Sequence, residues 1–104
     1  MKEIRIDVGV CTMLTLNLAD IDFTGIKEIV FTVKNKPSVE APIIIERTFP
    51  AAGVYDIKIT PEESVKLTQG AEYDFSKVLT DGTQLKMTDN GKVILRKSVG
   101  GCLD

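Results

Sequence analysis

The sequence predicts an all-β fold, an antiparallel sandwich of about 7–8 short strands with one short helical crossover at about residues 61–69. Three observations carry this. Apolar and polar residues alternate with a period of two over most of the chain, which is how a strand with one buried face reads. Glycine, proline, aspartate and asparagine recur at short intervals between those runs, where tight turns need them. A single segment, Thr60-Pro-Glu-Glu63, has the chemistry of a helix start.

Ile4, Ile6 and Val8 alternate with Arg5 and Asp7, a first strand ending near Gly9. Leu14, Leu16 and Leu18 alternate with Thr15 and Asn17 to form a second. In Ala19–Gly25, Asp20 and Asp22 can bond their own backbone and Gly25 supplies freedom of backbone angle. Lys27–Lys34 places Ile29, Phe31 and Val33 on one face with Val30 and Thr32 on the other; apolar residues on both faces predict a central strand. Pro37 and Pro42 bound the next connection, since neither suits a central strand. Ile43–Thr48 resumes β character, and Pro50-Ala-Ala-Gly53 turns the chain.

Gly53–Phe75 is the most legible stretch. Tyr55, Ile57 and Ile59 alternate with Asp56 and Lys58. Thr60 can cap a helix, Pro61 fits its first position, and Glu63 can close a capping box. Val65 and Leu67 are expected to press on the core, and Gly70 to end the helix in a left-handed conformation. Tyr73 and Phe75 begin another strand, which continues to Thr80. Asp81-Gly82 predicts a two-residue type I′ hairpin, with Leu85 and Met87 in the returning strand. Asp89-Asn90-Gly91 repeats the turn chemistry before Val93, Ile94 and Leu95. The sum is an immunoglobulin-like sandwich, with residues 1–97 as one domain and 98–104 as a loose tail. No internal repeat or long linker divides it.

Composition narrows the function. At 43% hydrophobic and 27% charged, the 104-residue chain reads as an ordinary globular domain rather than a disordered one. No apolar run reaches the roughly 18 residues a spanning helix needs, and Met1-Lys2-Glu3 leads straight into a strand, so a cytoplasmic origin is expected. Net charge is −2 and balanced between the halves, with no basic stripe to bind nucleic acid. The absence of histidine excludes His-based acid–base chemistry, the Ser-His-Asp arrangement and imidazole metal sites. Cys11 and Cys102 lie near opposite ends, and a reducing cytoplasm predicts two free thiols.

Each candidate site has a plainer account. Asp81, Asp89 and Asn90 offer oxygen ligands for calcium, but lack EF-hand spacing and sit where hairpins want them. Asp20 and Asp22 suit turns better than glycoside hydrolysis. Cys11 lacks a histidine to activate it. Gly91, Gly100 and Gly101 form no phosphate cradle. Tyr55, Tyr73, Phe31 and Phe75 are at strand spacing and read as core rather than a stacking platform. Thr60–Gly70 could serve as an interaction helix, but a capped crossover explains it equally well. No catalytic, cofactor-binding or metal-binding residue is assigned, no cofactor is expected, and the chain is read as a non-enzyme.

A leucine-rich strand, Phe23-Thr24-Gly25 and the strand Ile29–Lys34 come first. Gly53-Val-Tyr-Asp-Ile-Lys-Ile-Thr-Pro-Glu-Glu63, Leu67, Gly70, Tyr73-Asp-Phe75 and Asp81-Gly82 follow. Over most of residues 8–95 this order resembles the immunoglobulin-like N-terminal domain of phage baseplate upper proteins and related small phage tail and neck proteins. Phe23 stands where that family often has leucine. The resemblance implies a virion component made in the bacterial host cytoplasm. It would be a homo-oligomer that docks onto other tail, baseplate or neck proteins, with neither nucleic acid nor membrane as partner. The sequence stops at Asp104 without a fibre or receptor-binding portion, so docking or connector work is expected rather than host recognition. The alternative is a stand-alone bacterial immunoglobulin-like module that binds a glycan or a surface protein.

Overall fold

A computed structural model describes residues 3–36, 38, 40–87 and 90–97. Pro37, Asp89, Cys102 and the expected tail at 98–104 therefore lie outside the described residues. The chain runs β1 (Glu3–Val8), β2 (Thr12–Asn17), β3 (Ile26–Lys34), β4 (Ile43–Phe49), β5 (Val54–Ile59), α1 (Pro61–Ser64), β6 (Glu72–Leu79), β7 (Gln84–Lys86) and β8 (Gly91–Lys97). One sheet has the order β1-β8-β6-β3-β4, with β7 also paired to β6; the other is the antiparallel pair β2-β5. This is the all-β sandwich that the alternation predicts.

The longer strands bury the face their pattern marks, whereas β7 leaves Leu85 exposed. Ile6 from β1, Ile29, Phe31 and Val33 from β3, and Ile45 from β4 are buried with Ile57 and Ile59 from β5 and Val93 from β8. β3 is central, paired on its two sides by β4 and β6, and its second-face residue Val30 is buried as well. Phe31 sits between Tyr73 and Phe75, with ring centroids 5.9 and 5.2 Å away. Burying a side chain of this size contributes about 1.5–3 kcal/mol, so this aromatic cluster is a main support of the larger sheet.

Four local expectations are corrected. The sandwich is not wholly antiparallel: β1 and β8 pair in parallel, Glu3 with Lys92 through Val8 with Lys97. After β1 the chain turns at Gly9 (φ +83°) and crosses into the other sheet as β2. No hairpin joins β1 to β8, so nothing forces them to run in opposite directions.

The helix is a single turn, Pro61–Ser64, rather than a segment of about nine residues. Its capping box is present: Thr60 Oγ1 accepts from Glu63 N (3.2 Å) and Glu63 Oε1 accepts from Thr60 N (3.1 Å). Lys66 and Leu67 then donate to the carbonyls three residues back, a tighter winding. That leaves Val65 61% exposed while Leu67 is buried. Ser64, not Val65, is the helix's core contact, with no exposed surface.

Gly70 (φ +95°) does not end the helix. It is the third residue of a turn closed by Ala71 N donating to Thr68 O (3.1 Å), the place where a type II turn demands positive φ.

Asp81-Gly82 is not a type I′ pair, because only Gly82 has positive φ (92°). Gly82 N donates to Leu79 O (2.9 Å) and Leu79 N to Thr83 O (2.8 Å). This is the three-residue loop in which a type I turn is followed by a left-handed glycine.

Candidate interaction surfaces

Asp22 and Asp81 are occupied with turns. Asp22 Oδ1 accepts from Thr24 N (2.9 Å), and hydrogen bonds from the Thr24 side chain and backbone hold its carboxyl below the usual value. Asp81 Oδ1 accepts from Thr83 N (2.8 Å), and that backbone bond with the Thr83 hydroxyl lowers its pKa too. Asn90 donates to Glu72 Oε1 (3.0 Å) and accepts from Lys86, which ties the start of β8 to β6 and β7. Among the described residues Asp20 is not brought into any of these clusters, and Asp89 lies outside the described residues. Tyr55 donates to Ala51 O (2.6 Å) and stacks on Phe49. Burial raises the Tyr73 phenol pKa. Phe31 and Tyr73 belong to the core, as their spacing predicts, and Phe75 and Tyr55 are partly buried against it.

Cys11 departs from expectation. It is disulfide-bonded, and no free cysteine occurs among the described residues, so the reading of two free thiols fails. The expectation of free thiols rests on the compartment, whereas the bond depends on where the fold places Cys11. The other cysteine of the sequence is Cys102.

Two surfaces remain as candidates for binding. The outer face of the larger sheet carries an open polar groove of 490 Å³. Cross-strand register aligns Glu46, Thr32 and Asp74 in one row and Lys34 with Glu72 in the next, and Lys86 stands opposite Ser76. Acids and lysines alternate there, so the groove presents donors and acceptors without a dominant sign.

The second candidate is the set of sheet edges. β1 and β4 bound the larger sheet, and such edges present backbone groups to any further strand. On the β4 side those groups are partly covered by Arg47. Its Nη1 donates to Glu46 O (2.9 Å), and its Nη2 to Lys58 O on β5 (3.2 Å) and to both Glu63 carboxylate oxygens (2.7 and 3.0 Å). Partial burial pushes the Glu63 carboxyl up, but the Arg47 and Thr60 hydrogen bonds and the guanidinium charge outweigh it, and its pKa lies below the ordinary value. An inward-pointing charge is a recognised device against edge-to-edge association. The sequence hint was Arg47 itself, placed between Ile45 and Phe49 on the core-facing alternation of β4.

At the same end of the sandwich Ser64 Oγ accepts from Gly9 N (2.9 Å) and donates to Pro61 O (2.9 Å). Asn35 donates to Lys66 O (3.0 Å) and accepts from Thr68 N (2.9 Å). α1 and the turn after it are thus joined to β1, β4 and the β3–β4 connection. Among the described residues no helix is long and apolar enough to cross a membrane, and no three His, Cys, Asp or Glu side chains gather as a metal site. No family model and no curated protein matches the sequence.

Proposed function

We propose that this protein is a phage or prophage structural module of the tail, baseplate or neck, working by protein–protein docking and not by catalysis. The observation that supports it is the open-edged larger sheet. A sandwich whose β1 and β4 edges are not closed on each other can continue its sheet into a neighbour. The likeness of Phe23-Thr24-Gly25 and Gly53–Glu63 to phage tail domains supplies the setting. The test is mass spectrometry of particles induced and purified from a cell carrying the gene. The chain at fixed stoichiometry with tail proteins is the expected result; the chain in the lysate alone would refute a virion role.

A second reading, a binding module for a glycan or a surface protein, is favoured by the polar groove of 490 Å³ on the sheet face. Hydroxyl-rich ligands are matched by alternating carboxylates, ammonium groups and amides. A reproducible hit on a glycan array that Asp74→Ala and Lys86→Ala abolish would establish it.

A further inference from the structure

We propose that the protein forms a twofold dimer in which the β1 edges of two copies pair antiparallel, centred on Ile4, to join their larger sheets. The pairing holds or fails independently of any role in a virion.

The backbone of β1 decides which groups are free. In a strand, the N–H and C=O of one residue point to the same side, and those of the next residue to the other. Asp7 N–H goes to Thr12 Oγ1 and Gly9 N–H to Ser64 Oγ, both away from β8. By that alternation Glu3 and Arg5 also direct their backbone groups away from β8, whereas Ile4, Ile6 and Val8 direct theirs towards it. Thr12 and Ser64 meet the far end of the edge. Among the described residues no turn, cap or side-chain hydrogen bond reaches the backbone of Glu3 or Arg5. On the sheet's faces, Glu3 and Arg5 share the solvent side, whereas Ile6 is fully buried.

A second copy fits this edge in one register best. Antiparallel pairing about a twofold axis normal to the sheet keeps each residue's face only if the centre falls on a residue. Centring on Ile4 sets Glu3 opposite the partner's Arg5 twice, with unlike charges side by side. Glu3 and Arg5 can then exchange both of their backbone bonds with the partner. Centring on Arg5 would oppose two arginines and set Glu3 against Asp7. Centring on Ile6 would need the Asp7 N–H that Thr12 already holds. The opposite side of the sandwich is less suited, because the Arg47 guanidinium lies on both Glu46 O and Lys58 O.

The test is analytical ultracentrifugation of the full chain over a concentration series. The wild type is expected to approach twice its 11.4 kDa monomer mass. Arg5→Glu makes both paired positions acidic and Glu3→Arg makes both basic. Each alone is expected to weaken self-association roughly 10- to 100-fold, since two attractive cross-strand pairs become repulsive. Mixed in equal amounts, the two variants should form a heterodimer, a recovery that misfolded chains could not show. A wild type that stays monomeric up to about millimolar concentration overturns the proposal. So does a dimer that ignores Arg5→Glu, or variants that fail to associate when mixed.

Discussion

Gly91 is the position where one added carbon should do the most damage. A methyl carbon built there would stand 2.3 Å from Tyr73 Cε1 and Cζ and 2.6 Å from its hydroxyl oxygen. Carbon atoms in contact sit about 3.5–4.0 Å apart, so the overlap exceeds ~1 Å. The ring cannot retreat freely, because it lies against Phe31 (5.9 Å between centroids) and Phe75 (6.0 Å). Gly91 and Tyr73 are also register partners of β8 and β6. Gly91→Ala is therefore expected to cost about 1–3 kcal/mol as overpacking, a fall in Tm of roughly 4–8 °C per kcal/mol. The backbone of Gly91 is not left-handed, so the cost is steric and should vanish when the ring is removed. Urea and thermal unfolding of Gly91→Ala in the wild-type and Tyr73→Ala backgrounds makes the measurement. A loss under about 0.5 kcal/mol, or an equal loss in both backgrounds, would refute the reasoning.

Three further outcomes can be checked on the same unfolding curves. Because the Glu63 pKa is lowered on folding, its contribution is present above the ordinary glutamate value and lost as pH falls through the folded value. Glu63→Gln should therefore destabilise by about 1 kcal/mol at neutral pH, and the gap from wild type should close in acid; a constant gap would exclude the ion pair as its cause. Ser64→Ala strands the Gly9 N–H and should cost about 1–3 kcal/mol, while Ser64→Thr tests the crowding of this fully buried site separately. Reduction, or Cys11→Ser, should remove about 2–4 kcal/mol, with free thiols appearing only after reductant is added; free thiols in the untreated, denatured chain would contradict the disulfide.

The longer strands were legible because each displays its own burial. Ile29, Phe31 and Val33 need no knowledge of a partner to mark a core face, and Val30 behind them marks a central strand. What stayed hidden depends on residues far apart in sequence. Nothing in Ile4, Ile6 or Val8 tells of the parallel run along Val93 and Leu95. Gly91 read as a turn residue, but the ring of Tyr73 is what requires it. Turn chemistry was placed correctly and typed wrongly: Asp81-Gly82 can serve either hairpin, and the backbone angle of Asp81 decides. The candidate surfaces were less legible still. Glu3 and Arg5 are ordinary solvated charges until the fold leaves their backbone at an edge, and Arg47 becomes a latch only when α1 brings Glu63 within 2.7 Å.

The parallel run of β1 beside β8 also sets how the molecule bears load. Its six register pairs join the first strand to the last. Tension that draws the start of β1 away from the end of β8 acts along both strands, not across them. Once the Cys11 disulfide is reduced, the hydrogen bonds between them are strained together instead of opening one at a time like a zip. In an antiparallel terminal pair whose free ends lie side by side, the same pull would peel the bonds singly. The strand direction that alternation did not foretell thus makes the two ends of the sandwich a shear joint, the arrangement suited to a part held in line between two others.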